Sequence, residues 1–271
     1  SVTVETARTY YNSDDADNFY AVIWGGEDIH IGLYESKQDS IFDASRRTVH
    51  RLVNLVTLNS KTKVLDLGSG YGGTARYLAK NIGCQVDCLN LSETQNKRNR
   101  HLTKEQNLTD KITVIDGSFE AIPTEDNEYD LVLSQDAILH SGNRQQVLAE
   151  VFRIFKSGGE FIFTDPMQSD DCPAGVLQPV LDRIHLDSMG SFDFYTKTAM
   201  ELGFEKVQII EMTNQLIRHY QHVLKELETH HAKLIKICSQ DYLERMKVGL
   251  NNWIESGNKG YLAWGILHFK K

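Results

Sequence analysis

The run Val64-Leu65-Asp66-Leu67-Gly68-Ser69-Gly70-Tyr71-Gly72-Gly73 sets a D-x-G-x-G-x-G spacing directly after apolar residues. Glycines at 68, 70 and 72 let the backbone turn sharply and approach a ligand with no Cβ in the way. A dinucleotide would put pyrophosphate at the helix N-terminus here, and the Asp66 carboxylate would repel it. An acid at that point suits a ligand with positive charge, such as a sulfonium carrying an amino group. A second polar run, Leu133-Ser134-Gln135-Asp136-Ala137-Ile138-Leu139-His140-Ser141, also follows apolar residues. Asp136 and His140 are four apart, which on a helical turn places them on one side. Histidine titrates near neutral pH, so His140 can accept or orient a proton.

The elements that must position these groups begin at Lys63. Short apolar runs at 64–67, 84–91, 112–115, 129–133 and 160–164 read as strands, with a turn at Gly158-Gly159 before the last. Helices are expected from 74 and over 93–106 and 145–155. This alternation predicts a parallel sheet covered on both faces, with ligands beyond the carboxyl ends of the strands. Upstream, 41–58 has helical spacing at Val49, Leu52, Val53 and Val56, with a turn at Gly25-Gly26 before it. Downstream, a lid follows Pro179, then a helix over 196–202, a strand at 205–210, long helices over 213–238 and 240–256, and a strand over 260–269. The apolar stripe Leu216, Tyr220, Val223, Leu227, Leu234, Cys238 reads as core packing that needs no ligand. The chain divides into an N-terminal helical lid (1–59), a cofactor-binding core (60–170), and an acceptor-side lid with a helical insertion and final strands (171–271).

The glycine run resembles motif I of the class I S-adenosylmethionine methyltransferases, which implies an α/β, Rossmann-like seven-stranded sheet and S-adenosylmethionine as cofactor. In that superfamily an acid ending the second strand holds the ribose; the position here is Asn90, whose amide can still bond a hydroxyl, with Gln95 nearby. Adenine contacts follow the third strand, pointing to Ser118 and Phe119, though Phe119 also suits a plain core position. Gln135 joins the same cofactor-facing set as Asp66, Gly68, Ser69, Gly70 and Gly72.

A narrower resemblance follows from Tyr20-Ala21-Val22-Ile23-Trp24-Gly25-Gly26-Glu27-Asp28-Ile29-His30-Ile31-Gly32 and Thr164-Asp165-Pro166-Met167. These segments, in order with Gln135–His140, resemble the sarcosine/dimethylglycine N-methyltransferases, which make glycine betaine. The phosphoethanolamine methyltransferases look like the next relatives. The resemblance implies a catalytic dyad of His140 with Tyr11 or Tyr10, supported by Asp136. It also implies an arginine, matched by Arg183, for the acceptor's anionic group. His185 stands where the phosphate-binding relatives have a tyrosine, which argues against phosphate. Tyr20, Trp24 and Tyr195 complete the expected substrate-binding set. The faces of Tyr11, Tyr20 and Trp24 would stabilise a charge that passes from sulfur to nitrogen.

Composition bounds the alternatives. The formal net charge of -8 is the opposite of what phosphate backbones require, so nucleic acid is not an expected partner. Cys84, Cys88, Cys172 and Cys238 make no C-x-x-C pair and read as free thiols of a reducing cytosol, with no metal site. No apolar run reaches membrane-spanning length, and no signal peptide is visible, so a cytoplasmic monomer or homodimer acting on a small amine is expected. Rival readings are phosphoethanolamine methylation, carbon methylation of a lipid or quinone, and cofactor binding without catalysis.

Overall fold

The computed structural model describes residues 4–11 and 13–271, and the side chains of these except residues 9–11. Among the described residues three helices precede the first strand: α1 (Val4–Tyr11), α2 (Asp14–Trp24) and α3 (Ile41–Val53). Ser13 and Ser40 cap α2 and α3, each accepting a backbone N–H of the first turn, and Gly25 closes α2 in the left-handed region at φ 85°. Helix α3 stops at Val53, short of the expected 58. The Leu55 N–H turns back to Leu52 O at 3.1 Å and ends the helical ladder, leaving Val56 outside the helix.

The alternating core follows as β1 (Lys63–Leu67), α4 (Gly73–Asn81), β2 (Gln85–Asn90), α5 (Glu93–Glu105), β3 (Ile112–Asp116), β4 (Tyr129–Gln135), α6 (Arg144–Ile154) and β5 (Phe155–Thr164). After it come β6 (Met167–Gln168), α7 (Gln178–Arg183), α8 (Phe192–Leu202), β7 (Glu205–Glu211), α9 (Thr213–Thr229), α10 (His231–Leu234), α11 (Gln240–Asn258), β8 (Leu262–Ala263) and β9 (Gly265–Lys270). The main sheet has seven strands in the order β3-β2-β1-β4-β5-β9-β7. It is mixed, since β9 runs antiparallel to both β5 and β7. The order reverses between β1 and β4, so successive crossovers leave to opposite sides and open a crevice beyond these two strands. Asp66, the glycines and the Gln135–His140 turn lie at that crevice. Val64, Leu65 and Leu67 are fully buried, as a strand covered on both faces requires.

The structure corrects further element boundaries. Gly158-Gly159 does not form a free turn: β5 runs through both, bonded to Lys271, and a Cβ on Gly159 would lie 2.2 Å from the Phe155 ring. The long helix expected over 213–238 ends at Thr229, yet Leu234 and Cys238 still join the cluster formed by Phe19, Trp24, Val223 and Tyr242. That cluster packs the N-terminal helices against the inserted ones. The last strand is broken at Trp264, whose indole Nε1–H turns inward to the Asp136 carboxylate at 2.8 Å. No helix among the described residues is long and apolar enough to cross a membrane.

The break at Trp264 therefore trades strand continuity for a hydrogen bond to a buried carboxylate. Trp264→Phe should lower unfolding stability by about 1–3 kcal/mol, through the lost bond and the acceptor left short of a donor. Urea denaturation of the two proteins checks this.

Candidate active site

The glycine loop is shaped by what presses on it. Gly68 has φ +76°, donates its N–H to Leu89 O at 2.8 Å, and would drive a Cβ to 2.3 Å from Ala137 Cβ. The loop and the Gln135–His140 turn are thus in contact, and only glycine fits between them. Gly70 N–H reaches Asn90 Oδ1 at 3.2 Å, and Asn90 Nδ2 donates to Gln95 Oε1 at 3.0 Å. A cavity above this loop is lined by Asp66, Gly68, Ser69, Gly70, Asn90 and Gln95, and by Ser118, Phe119 and Gln135 opposite. Ser69 Oγ, Gln95 Nε2 and Gln135 Oε1 are buried in its walls without a protein partner among the described residues. Gly72 does not line the cavity. It starts α4 with φ +82° and lies against Asn99, whose amide would be 2.2 Å from an added Cβ.

The segment 27–31 crosses between this loop and the next cavity. Glu27 O accepts the Gly73 N–H at 3.2 Å, and Glu27 Oε2 is held by the Arg76 guanidinium at 2.8 Å. Asp28 is paired with His30 at 3.3 Å and with Arg46 at 3.2 Å. Burial opposes ionisation of Asp28, but His30, Arg46 and Arg76 together hold its carboxyl below the usual range. Burial likewise opposes charge on His30, and Asp28 and Asp136 outweigh it, so the imidazole lies above its ordinary value. Asp66 behaves differently. Burial, reinforced by Asp28 and only partly relieved by His30 and Arg76, pushes it up to about 7.

The turn after β4 is not the helical turn expected from the spacing of Asp136 and His140. Asp136 has φ +56°, and a single 3-10 turn over Ile138–His140 follows. Both residues nevertheless face the crevice. Asp136 Oδ2 accepts the Ile31 N–H at 2.7 Å while its other oxygen takes the Trp264 indole. Burial raises Asp136 against the effect of these donors. Burial, with help from Arg144, lowers His140 to about 4, so its imidazole is neutral near pH 7.

A second cavity lies beyond this turn. Tyr20 and Trp24 of α2, Arg183 of α7, His219 and Tyr220 of α9, and Trp253 of α11 contribute to its walls. Tyr20, Ile29, His30, Asp136 and His140 line both cavities and form the partition between them. The stripe on α9 is therefore more than core packing, since Tyr220 and Val223 also face this space. Tyr195 is a correction. It is 0% exposed, donates to Asp165 Oδ2 at 2.6 Å and packs edge-on to Phe163, so its hydroxyl serves a buried carboxylate and lines neither cavity. The side chains of Tyr10 and Tyr11 lie outside the described residues. Sequence reading missed His30, His219 and Trp253; for His30 the signal lay within the Glu27–Ile31 run, which carries part of the family resemblance.

The family model described as "Methyltransferase domain" matches residues 65–163, and with the relatives below it makes the chain an S-adenosylmethionine-dependent methyltransferase, in keeping with the sheet order, glycine loop and crevice. The chain is 59% identical over 266 residues to the sarcosine/dimethylglycine N-methyltransferase of Aphanothece halophytica, covering 98% of this chain and 96% of that protein. It is 56% identical over 269 residues to the enzyme of the same name from Halorhodospira halochloris, covering 99% and 96%. A crystal structure from Galdieria sulphuraria, provisionally assigned as a sarcosine dimethylglycine methyltransferase, superposes with a TM-score of 0.92 at 43% identity, covering 97% of this chain and 98% of that one. The chain belongs to the sarcosine/dimethylglycine N-methyltransferase family.

The raised Asp66 yields a signed expectation. Without ligand its folded value of about 7 exceeds the unfolded value of about 3.9, so the native state binds more protons between these limits. Its contribution to stability therefore declines as pH rises through that window. A cationic ligand beside Asp66 favours the carboxylate, so binding should release a proton below about pH 7 and strengthen as pH rises to that point. Calorimetry with S-adenosylhomocysteine at about pH 6 and about pH 8 should show tighter binding at the higher pH, and Asp66→Asn should weaken binding and flatten the difference.

Proposed function

We propose that this chain methylates sarcosine and dimethylglycine towards glycine betaine, with S-adenosylmethionine in the first cavity and the amino acid in the second. The observation that carries the reading is the shared partition: His140 and Asp136 face both spaces at once. The cofactor fits the residues present. Asp66 supplies an acid for its amino group, the Asn90–Gln95 pair an amide edge for ribose hydroxyls, and Phe119 with Ser118 a face and a hydroxyl for adenine. The orphaned polar atoms of Ser69, Gln95 and Gln135 would gain partners from such a ligand. When bound, the cofactor supplies a methyl group on a sulfonium, an electrophile open to in-line displacement by an amine.

The chain's own part is to deliver that amine unprotonated and aligned. The His140 imidazole, kept neutral by burial, has a lone pair for an N–H of the incoming ammonium. Tyr11 or Tyr10, on the helix whose Val4 and Ala7 line the cofactor cavity, is the proposed partner of His140. Asp136 is a positioning residue, because Ile31 and Trp264 already occupy its oxygens. Tyr20, Trp24, Tyr220 and Trp253 present aromatic faces to the charge arriving on nitrogen, each contributing about 0.5–2 kcal/mol. Arg183 is the proposed bidentate partner of the acceptor carboxylate. Alignment in a space closed by α2, α9 and α11 supplies the larger share of the acceleration.

Labelled S-adenosylmethionine with dimethylglycine and with sarcosine, followed by mass analysis, should give methylated product from both. His140→Ala should slow transfer by roughly 10²–10⁴ while cofactor affinity stays within a few-fold. An unaltered chain that transfers no label to either amine contradicts the reading.

A further inference from the structure

His219, on α9, lines the second cavity although only 1% of its surface is exposed. Its Nδ1 meets two groups, the Gly32 backbone N–H at 3.3 Å and the Tyr34 hydroxyl at 2.6 Å. A backbone N–H can only donate, so Nδ1 must offer its lone pair. Tyr34 then donates as well, and burial pushes its phenol up so that it keeps the proton. Burial, together with His30 and His222, holds the His219 imidazole well below its ordinary value, so it is neutral. The single ring proton is therefore on Nε2, on the edge away from Gly32 and Tyr34. Trp24 and Tyr220 pack against the ring at 5.5 Å each and fix its plane.

A fixed N–H donor in an aromatic wall repels an ammonium and suits an anionic oxygen. We propose that His219, held as the Nε2–H tautomer by Gly32 and Tyr34, donates a hydrogen bond to the acceptor's carboxylate. With Arg183 in the same cavity, it sets the preference for an amino acid over an amino alcohol. This rests on the acceptor reading above and adds to it the group that recognises the acid. The tight packing of the Gly32 turn serves the same end. A Cβ there would lie 2.6 Å from Ala44 Cβ, so the turn sits close on α3 and its N–H is held in place against His219.

The test is competition between dimethylglycine and N,N-dimethylethanolamine, which share the amine and differ in the carboxylate. In His219→Asn the side-chain oxygen can still accept the Gly32 N–H, but the distal donor is gone. The kcat/KM preference for dimethylglycine should fall roughly tenfold to a hundredfold, mainly through a higher KM, with S-adenosylhomocysteine affinity unchanged. His219→Gln carries an amide N–H to the Nε2 position and should recover part of the preference. Equal losses for both amines, or an unchanged preference in the Asn variant, overturn the assignment to His219 alone. Failure of the unaltered chain to methylate dimethylglycine removes the acceptor reading and this one together.

Discussion

The carboxylate of Asp136 holds three parts of the chain at one point. It directly follows the central strand β4, accepts the Ile31 N–H from the N-terminal segment, and accepts the Trp264 indole from the break before the last strand. A buried carboxylate is costly unless its oxygens are bonded, and here both are. The positive φ of Asp136 aims it there, and the 3-10 turn behind it brings His140 to the same wall. The partition between the cavities depends on this junction. Without it, segment 27–31 would lose its tie to the sheet.

Charge pairing along that segment complements the junction. Glu27 is held by Arg76 and Asp28 by Arg46 and His30, all close to the cofactor loop. Asp66, nearby, has no ion pair among the described residues, and burial raises it to about 7. The contrast is physically sensible: neighbours already paired keep the segment fixed, while the acid with spare capacity faces the space proposed for a cationic ligand. On the other side, His140 and His219 are both neutral, one with a lone pair proposed for the amine and one with a proton proposed for the acid. The two ends of an amino acid call for those opposite polarities.

Much of this was legible in the sequence because it is local. The glycine loop, the strands before and after it, and the placement of Asn90, Gln95, Ser118 and Phe119 follow from short patterns, and each of those side chains lines the expected cavity. What was not legible depended on distant partners. Trp264 leaves its strand for an acid 128 residues earlier in the chain, which no window of sequence reveals. Tyr195 has an aromatic body and a hydroxyl that serve a core acid as well as a pocket. The stripe on α9 reads as packing because most of it is; only the tertiary arrangement turns Tyr220 and its neighbour His219 towards the second cavity.

The seven-stranded sheet carries the glycine loop, and the second cavity, proposed for the acceptor, is walled largely by what is added to the sheet: α2, the loop to α3, and the helices inserted before β8. The most direct test is a crystal structure with S-adenosylhomocysteine and dimethylglycine bound together. The account predicts the amine nitrogen at the partition, beside His140 and facing the sulfur, with the carboxylate turned towards Arg183 and His219. An amine seated away from His140, or a carboxylate directed at Asp136, would contradict it.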